Sequence, residues 1–430
     1  MLLSNSKDTV ITNITQQGIG LIIFLIIPNL ITVNNYAEIT YAYVLISFAV
    51  LSDFGFASVY SRRMPSFYHS NNINDIERWN VSIFWLRFVT SILFSAIISF
   101  MFFMKSHNLS NSLMLLPFVS LTTISTFFIS KYTVQSNFKI YRKLNSFQAY
   151  ARLLIIPLVY AFGIFGWFLS QSASALITLF KVREKIFPNK FYIDLKIIKQ
   201  NLREGLSLVI VTFLWSQLLN SARLFASFYY PNEIIAQYGL ISSGYQIMSS
   251  LIIAAFLPIT IHVFKVIYTD ETQAVNYVFK IIYQTIPVVF ILAVLSSEIT
   301  PYILTTFFPK YKIDAVIVKT LIFSLLTYPL IVTLGNLMIA KQKTAQYGML
   351  TAFAMGLNWI LVIYLEPYYG YQSAAIGQLL SISFYTFLEL LFVFNLFGEV
   401  IKNKFRKLIV IYGTTLTFSF VYYISKKYLF

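Results

Sequence analysis

Apolar runs long enough to cross a bilayer as helices recur along the whole chain, each closed by a short polar break. Six precede the most polar stretch, at residues 10–33, 36–60, 80–104, 113–135, 146–162 and 164–182. Six more follow it, at 205–228, 234–263, 277–297, 315–340, 347–365 and 371–397. A thirteenth run, 408–424, is shorter and has Lys426 and Lys427 just beyond it. The pattern predicts an all-α polytopic membrane protein of twelve helices with a thirteenth candidate. It divides the chain into a first six-helix half (1–182), a basic connector (183–204), a second six-helix half (205–397) and a basic C-terminal segment (398–430). With six helices before a cytoplasmic connector, the halves have the same orientation, as parallel rather than inverted repeats do.

Two shorter stretches are amphipathic. In the connector, Ile193, Leu195, Ile197 and Ile198 stand among lysines. That spacing suits either an interfacial helix on anionic headgroups or a solvated basic linker. The second stretch, "ITPYILTTFFPKYK" (299–312), is expected on the outer face.

Composition agrees with a membrane solvent: 58% of residues are hydrophobic and 11% charged, with mean hydropathy +0.71. A soluble chain carries about 25% charge. The first residues lack a basic n-region and the first apolar run lacks a small-residue cleavage site, so that run is expected to remain as a helix. The absence of cysteine excludes disulfides, thiolate chemistry and Cys-ligated metals. The net charge of +16 looks at first like a nucleic-acid signal. Sorting Lys and Arg onto alternate sides, with the N-terminus cytoplasmic, places twenty-one on the inner side and five on the outer. Topology accounts for the charge, and nucleic-acid binding is not needed to explain it.

Candidate chemistry begins with "LSDFGFA" (51–57), which contains the tripeptide that binds magnesium in protein kinases. The three histidines, His69, His107 and His262, are none of them followed by Arg-Asp, and the chain has no Gly-rich phosphate loop. Neither a Walker loop, a His-Glu-x-x-His pair, a G-x-S-x-G elbow nor a clustered carboxylate set for a metal is present. Without these the chain reads as a transporter rather than an enzyme, with no cofactor expected.

A transport path shows itself as ionisable groups inside spans, because each costs several kcal/mol there unless paired or hydrated. Asp53, Arg87, Arg152 and Glu389 fall roughly 10 Å inside the cytoplasmic ends of their predicted helices. Arg223 and Lys319 fall nearer the outer surface, and Gln217 and Asn220 give Arg223 a polar stripe. Lys131 and Lys280 lie within about a turn of a helix end, where snorkelling accounts for them. Arg87, Arg152, Arg223 and Lys319 are therefore candidate substrate contacts. Asp53 and Glu389 are candidates for ion coupling, or Asp53 for a structural ion pair with Arg87. Surplus arginine suits an anionic cargo, and the planar guanidinium suits a phosphate group.

Three stretches carry a family resemblance: "TNITQQGIGLIIFLIIP" (12–28), "YAYVLISFAVLSDFGFASVYSRR" (41–63) and "YILTTFFPKYKIDAVIVKTL" (302–321). The chain resembles bacterial O-antigen and capsule-unit flippases, within the multidrug/oligosaccharidyl-lipid/polysaccharide exporter superfamily. The resemblance implies two six-helix bundles around a central cationic cavity. It implies an undecaprenyl-diphosphate-linked oligosaccharide as cargo, moved from the inner to the outer leaflet of the bacterial inner membrane. A polysaccharide polymerase and a chain-length regulator are the implied partners. In that setting Gly55 permits close helix packing, with Asp53 near Arg62, Arg63 or Arg87. Two alternatives stand beside it. A drug/cation antiporter of the same fold would favour an acidic cavity. A membrane-embedded polymerase needs a large outer loop, and the longest outer connection here is about 17 residues.

Overall fold

The computed structural model describes residues 2–70, 72–135, 137–182, 187–267, 270–341 and 343–428. Among these the chain forms α-helices joined by short turns, with no strand. The helices are α1 (Leu2–Leu30), α2 (Val33–Ser47), α3 (Phe56–His69), α4 (Ile73–Ser106), α5 (Leu109–Val134), α6 (Phe138–Ala151), α7 (Ile155–Phe180) and α8 (Leu195–Leu219). They continue as α9 (Ser221–Tyr229), α10 (Asn232–Val266), α11 (Glu271–Phe307), α12 (Ala315–Ser324), α13 (Tyr328–Ala340), α14 (Thr344–Tyr369) and α15 (Ser373–Tyr428). Two compact units result: unit 1 is Met1–Ser216 with Ser227–Leu240, and unit 2 is Gln217–Ala226 with Ile241–Phe430. Unit 1 thus includes the end of the connector and all but the last three residues of α8.

Seven helical segments among the described residues are long and apolar enough to cross a membrane, or eight if a bent pair is one span. The sequence tally of twelve is larger in part because it counts separately arms that run on as one helical segment; it also counts the bent pair and the first run, whose apolar helix Ile14–Leu30 is shorter than a full span. Phe138–Phe180 is such a segment, and its backbone reverses at Gly163 (φ 57, ψ −134). A Cβ on Gly166 would lie 1.9 Å from the Leu158 carbonyl oxygen, whereas eight residues of unbroken helix separate such groups by about 12 Å. The two arms therefore fold back on each other. Thr344–Gly398 behaves likewise at Gly370 (φ 53): across the turn, Asn358 Nδ2 donates to Ser381 Oγ at 3.2 Å.

Several helix starts are set by side-chain caps. Asn72, Asn108 and Asn137 accept from the backbone amides of Asp75, Asn111 and Ile140, each three residues on. Within α4, Ser91 and Ser95 donate to the carbonyls of Phe88 and Ile92, which satisfies their hydroxyls and keeps that face small. Helix α5 packs there, with Ser95 and Ser120 hydroxyls 3.2 Å apart. Below this seam Phe56, Tyr60, Trp79, Phe84, Phe127 and Phe128 interlock as the core of unit 1.

Several predicted elements are corrected. The run 36–60 is not one helix: it breaks after Asp53, where the path bends by 47°. The run 205–228 breaks at Asn220. Helix α11 absorbs most of the expected outer stretch, leaving only Pro309–Tyr311 as a separate 3-10 turn. Among its described residues the connector holds no separate interfacial helix, because α8 begins at Leu195 and continues unbroken to Leu219, and Ile197 joins the core of unit 1. Asp194 starts it, its Oδ1 accepting from the amides of Lys196 (2.9 Å) and Ile197 (3.3 Å). The connector's Arg183 and Lys185 lie outside the described residues. At the other end, α15 has one non-helical residue, Phe397, where the twelfth span was expected to stop, and the thirteenth run continues it as helix.

Candidate functional site

The break in the second span builds the site. A 3-10 turn, Phe48–Asp53, ends the first arm, and Phe54 (φ 51) and Gly55 (φ 80) take left-handed backbone. That conformation favours glycine at Gly55 and costs Phe54 about 1–2 kcal/mol. The turn leaves the first amides of α3 without helical partners, and Asp53 supplies them: Oδ1 accepts from Gly55 N at 2.9 Å and Oδ2 from Ala57 N at 3.2 Å. A carboxylate at a helix N-terminus is also favoured by the helix dipole.

Arg87 reaches this carboxylate from α4, its Nε 3.5 Å from Asp53 Oδ2. Its Nη2 donates to Thr126 Oγ1 of α5 at 3.2 Å, and its guanidinium carbon lies 5.9 Å from the Phe127 ring centre. Thr126 can accept because its own proton goes to the Thr123 carbonyl. Arg87 is only 7% exposed, and its Nε has no hydrogen bond. A guanidinium has five N–H donors. One hydrogen bond and one long ion contact leave donors to spare, and Arg87 lines a cavity of about 350 Å³ together with Thr122, Thr123 and Thr212.

The remaining sequence candidates do not line this cavity. Arg62 and Arg63 lie on the exposed face of α3 and pair with Glu204, at 3.8 and 3.0 Å, so neither is the partner of Asp53. Arg152 opens a 3-10 turn between α6 and α7, half-buried, with its Nε lacking a hydrogen bond. In unit 2, Arg223 is buried on α9, and Lys319 donates to Glu298 at 2.9 Å. Glu389 is fully buried on α15, where it accepts from Tyr385 Oη at 3.3 Å and has Gly335 and Tyr347 nearby. Of the charges expected at one level, unit 1 brings Asp53 and Arg87 together as a pair.

Sequence reasoning missed two further groups. Thr122, Thr123 and Thr126 put a hydroxyl face on α5, and the run "LTTIST" in an apolar span was its visible signal. Gln378 mends the break at Asn220 within unit 2: its Oε1 accepts from Ala222 N at 2.9 Å and its Nε2 donates to the Leu219 carbonyl at 3.0 Å. No local pattern announces a partner more than 150 residues away. Among the described residues no group of three or more His, Cys, Asp or Glu is placed to hold a metal.

The architecture has solved counterparts. The lipid II flippase MurJ, in an inward closed conformation, aligns at TM-score 0.70 and 15% identity, covering 98% of this chain and 93% of that one. An inward-facing multidrug resistance MATE family transporter of the MOP superfamily aligns at TM-score 0.65 and 13% identity, covering 90% and 95%. A D35N mutant of the Vibrio cholerae MATE transporter VcmN gives TM-score 0.57 at 11% identity, covering 96% and 97%. At such identities the likeness is one of fold. No curated protein sequence matches the chain. A family model described as "Polysaccharide biosynthesis protein" matches residues 2–264, more than half of the sequence, and the chain belongs to that family.

Proposed function

We propose that the protein is a flippase that carries an undecaprenyl-diphosphate-linked oligosaccharide, an O-antigen or capsule unit, from the inner to the outer leaflet of the bacterial inner membrane. The observation that carries this reading is Arg87: a buried guanidinium with unused donors, at a hydroxyl-lined cavity in a chain of the polysaccharide biosynthesis family. Its partner Asp53 already accepts from two backbone amides, so the carboxylate orients the arginine without using up its donors. A diphosphate offers the oxygens that such a guanidinium binds best.

Arg152 and Arg223 serve in this reading as further cationic contacts along the path. Lys319 contributes less, because Glu298 already meets its charge. Glu389 is the carboxyl available for ion coupling. The protein acts by alternating access rather than as an enzyme, with its N-terminus in the cytoplasm, and hands its cargo to a polymerase and chain-length regulator outside. A drug or cation exporter on the same fold would need acidic lining, whereas the one carboxylate at this cavity is engaged.

Deletion of the gene tests the reading, scored by long-chain surface polysaccharide and by the leaflet holding the lipid-linked unit. Units held on the cytoplasmic leaflet, released by the wild type and not by Arg87→Gln at equal protein level, are the expected result. Single units accumulating outside would make the protein a polymerase, and unchanged polysaccharide would point to export of another compound.

A further inference from the structure

Helix α4 sets a depth scale for the connector within unit 1. Its 34 residues run about 51 Å, whereas the hydrocarbon core of a bilayer is about 30 Å thick. Asn74, Asp75, Glu77, Arg78 and Asn80 crowd its first turns, and Lys105 stands in its last. Trp85 lies twenty residues before Lys105, about 30 Å along the helix. Tryptophan is enriched where the core meets the headgroups. Trp85 therefore marks that boundary on the connector's side.

The connector is fastened at this level. Trp85 Nε1 donates to the Lys190 carbonyl at 2.9 Å, Asp194 N donates to Ser82 Oγ at 3.0 Å, and Arg78 pairs with the Asp194 carboxylate. Phe187 packs edge-on against Phe84 and Phe88, ring centres 5.8 and 5.7 Å away, and the Phe191 ring centre lies 4.8 Å from that of Trp85. Residues 187–194 are non-helical, and irregular backbone has no place in lipid-exposed hydrocarbon. Their main chain thus stops at the headgroups, while side chains can reach deeper. Phe191 is 68% exposed and Leu195, the first residue of α8, is 75% exposed. Lys190, Lys196 and Lys199 are exposed beside them, and the single carboxylate of residues 187–199, Asp194, is buried against Arg78.

We infer that residues 187–199 form an in-plane membrane anchor, with Phe191 and Leu195 entering the edge of the hydrocarbon and Lys190, Lys196 and Lys199 resting on lipid phosphates. A pinned backbone cannot fold these two apolar side chains away, so they meet whatever lies at the depth of Trp85, and there it is lipid. Apolar side chains beside lysines are what the interfacial layer accepts: the first bury at the acyl boundary and the second meet the headgroups. The connector thereby holds α4 and the foot of α8 at a fixed depth without forming a helix of its own. The inference rests on the membrane-spanning length of the helices and is independent of the cargo.

The chain has no cysteine, so single cysteines can be spin-labelled without first removing native ones. In the full-length protein, reconstituted in vesicles of phosphatidylethanolamine and phosphatidylglycerol, collision of the label with oxygen and with a nickel chelate measures its depth. Ile73→Cys and Ile97→Cys, exposed positions twelve residues to either side of Trp85 on α4, mark water and the hydrocarbon core. Labels at Phe191→Cys and Leu195→Cys should collide with nickel several-fold less than the label at Ile73, and with oxygen several-fold more, approaching the values at Ile97. Leu195, the more exposed of the two, keeps the test decisive if Phe191→Cys disturbs the stack on Trp85. Nickel access at Leu195 equal to that at Ile73 would make the segment a solvated linker and overturn the inference. Poor access to both reagents would overturn it as well, because protein rather than lipid would then cover the segment.

Discussion

A Cβ on Gly55 would lie 1.9 Å from the carbonyl oxygen of Gly205, and one on Gly205 would lie 2.6 Å from that of Phe54. The turn after Asp53 and the first half of α8 therefore touch backbone to backbone. Gly55 is doubly constrained, by this contact and by its left-handed φ of 80°. Gly55→Ala should destabilise unit 1 by about 2 kcal/mol or more, since the strain alone costs about 1–2 kcal/mol and the obstacle is main chain. Gly205→Ala should cost less. Thermal unfolding of the purified protein in detergent, followed by size-exclusion chromatography, ranks the two; an equal or reversed order would refute the account.

Gln378 offers a separate test in unit 2. Replacing it with Leu leaves the Ala222 amide and the Leu219 carbonyl without the bonds that close the break at Asn220. Each orphaned buried group costs about 1–3 kcal/mol. Gln378→Leu should therefore lower thermal stability markedly and speed hydrogen exchange at Ala222, while Gln378→Glu, which still accepts, should protect that amide better.

The fold class was legible because spanning length and the absence of charge are local properties. The Asp-Phe-Gly turn was visible as a motif, but the break it makes was not. Asp53 in a long apolar run reads equally as a mid-helix charge, and only the approach of Gly205 from 150 positions away requires the bend. For the same reason Asp53 had three candidate arginine partners in sequence. Arg62 and Arg63 were removed by Glu204, which lies at the end of the connector and meets them only in the folded chain. Equal depth along separate helices did not make Arg152 part of the cavity that Arg87 lines, because depth fixes one coordinate of three.

Asp194 ties the pinned connector to pH. Burial alone would raise its carboxyl, but the Ile197 amide, Arg78 and the Lys196 amide outweigh it and hold the group below the usual carboxylate range. A carboxylate depressed in the folded state contributes stability that is fully present above about pH 4, its unfolded value. That contribution is lost as pH falls from there through the folded value. Hydrogen exchange at Lys196 and Ile197 should accordingly stay slow at neutral pH and accelerate at the acid end, after correction for intrinsic rates. In Asp194→Asn the acid dependence should vanish; if it persists, another group controls this segment.

The pair Asp53 and Arg87 has two duties, and they can be separated. Removing one member of a buried ion pair leaves the other uncompensated, at a cost of about 3–5 kcal/mol. Asp53→Asn should keep part of the cap on α3, through its remaining oxygen, yet still reduce the amount of folded protein because Arg87 loses its countercharge. Arg87→Gln should be milder, since Asp53 retains its two amide donors. The double variant, Asp53→Asn with Arg87→Gln, should recover folded protein to near the wild-type level by removing both charges. Surface polysaccharide should not recover with it, because the guanidinium that meets the cargo is gone. Recovery of both together would make the pair purely structural and move the anion site elsewhere, with Arg152 and Arg223 the next residues to test.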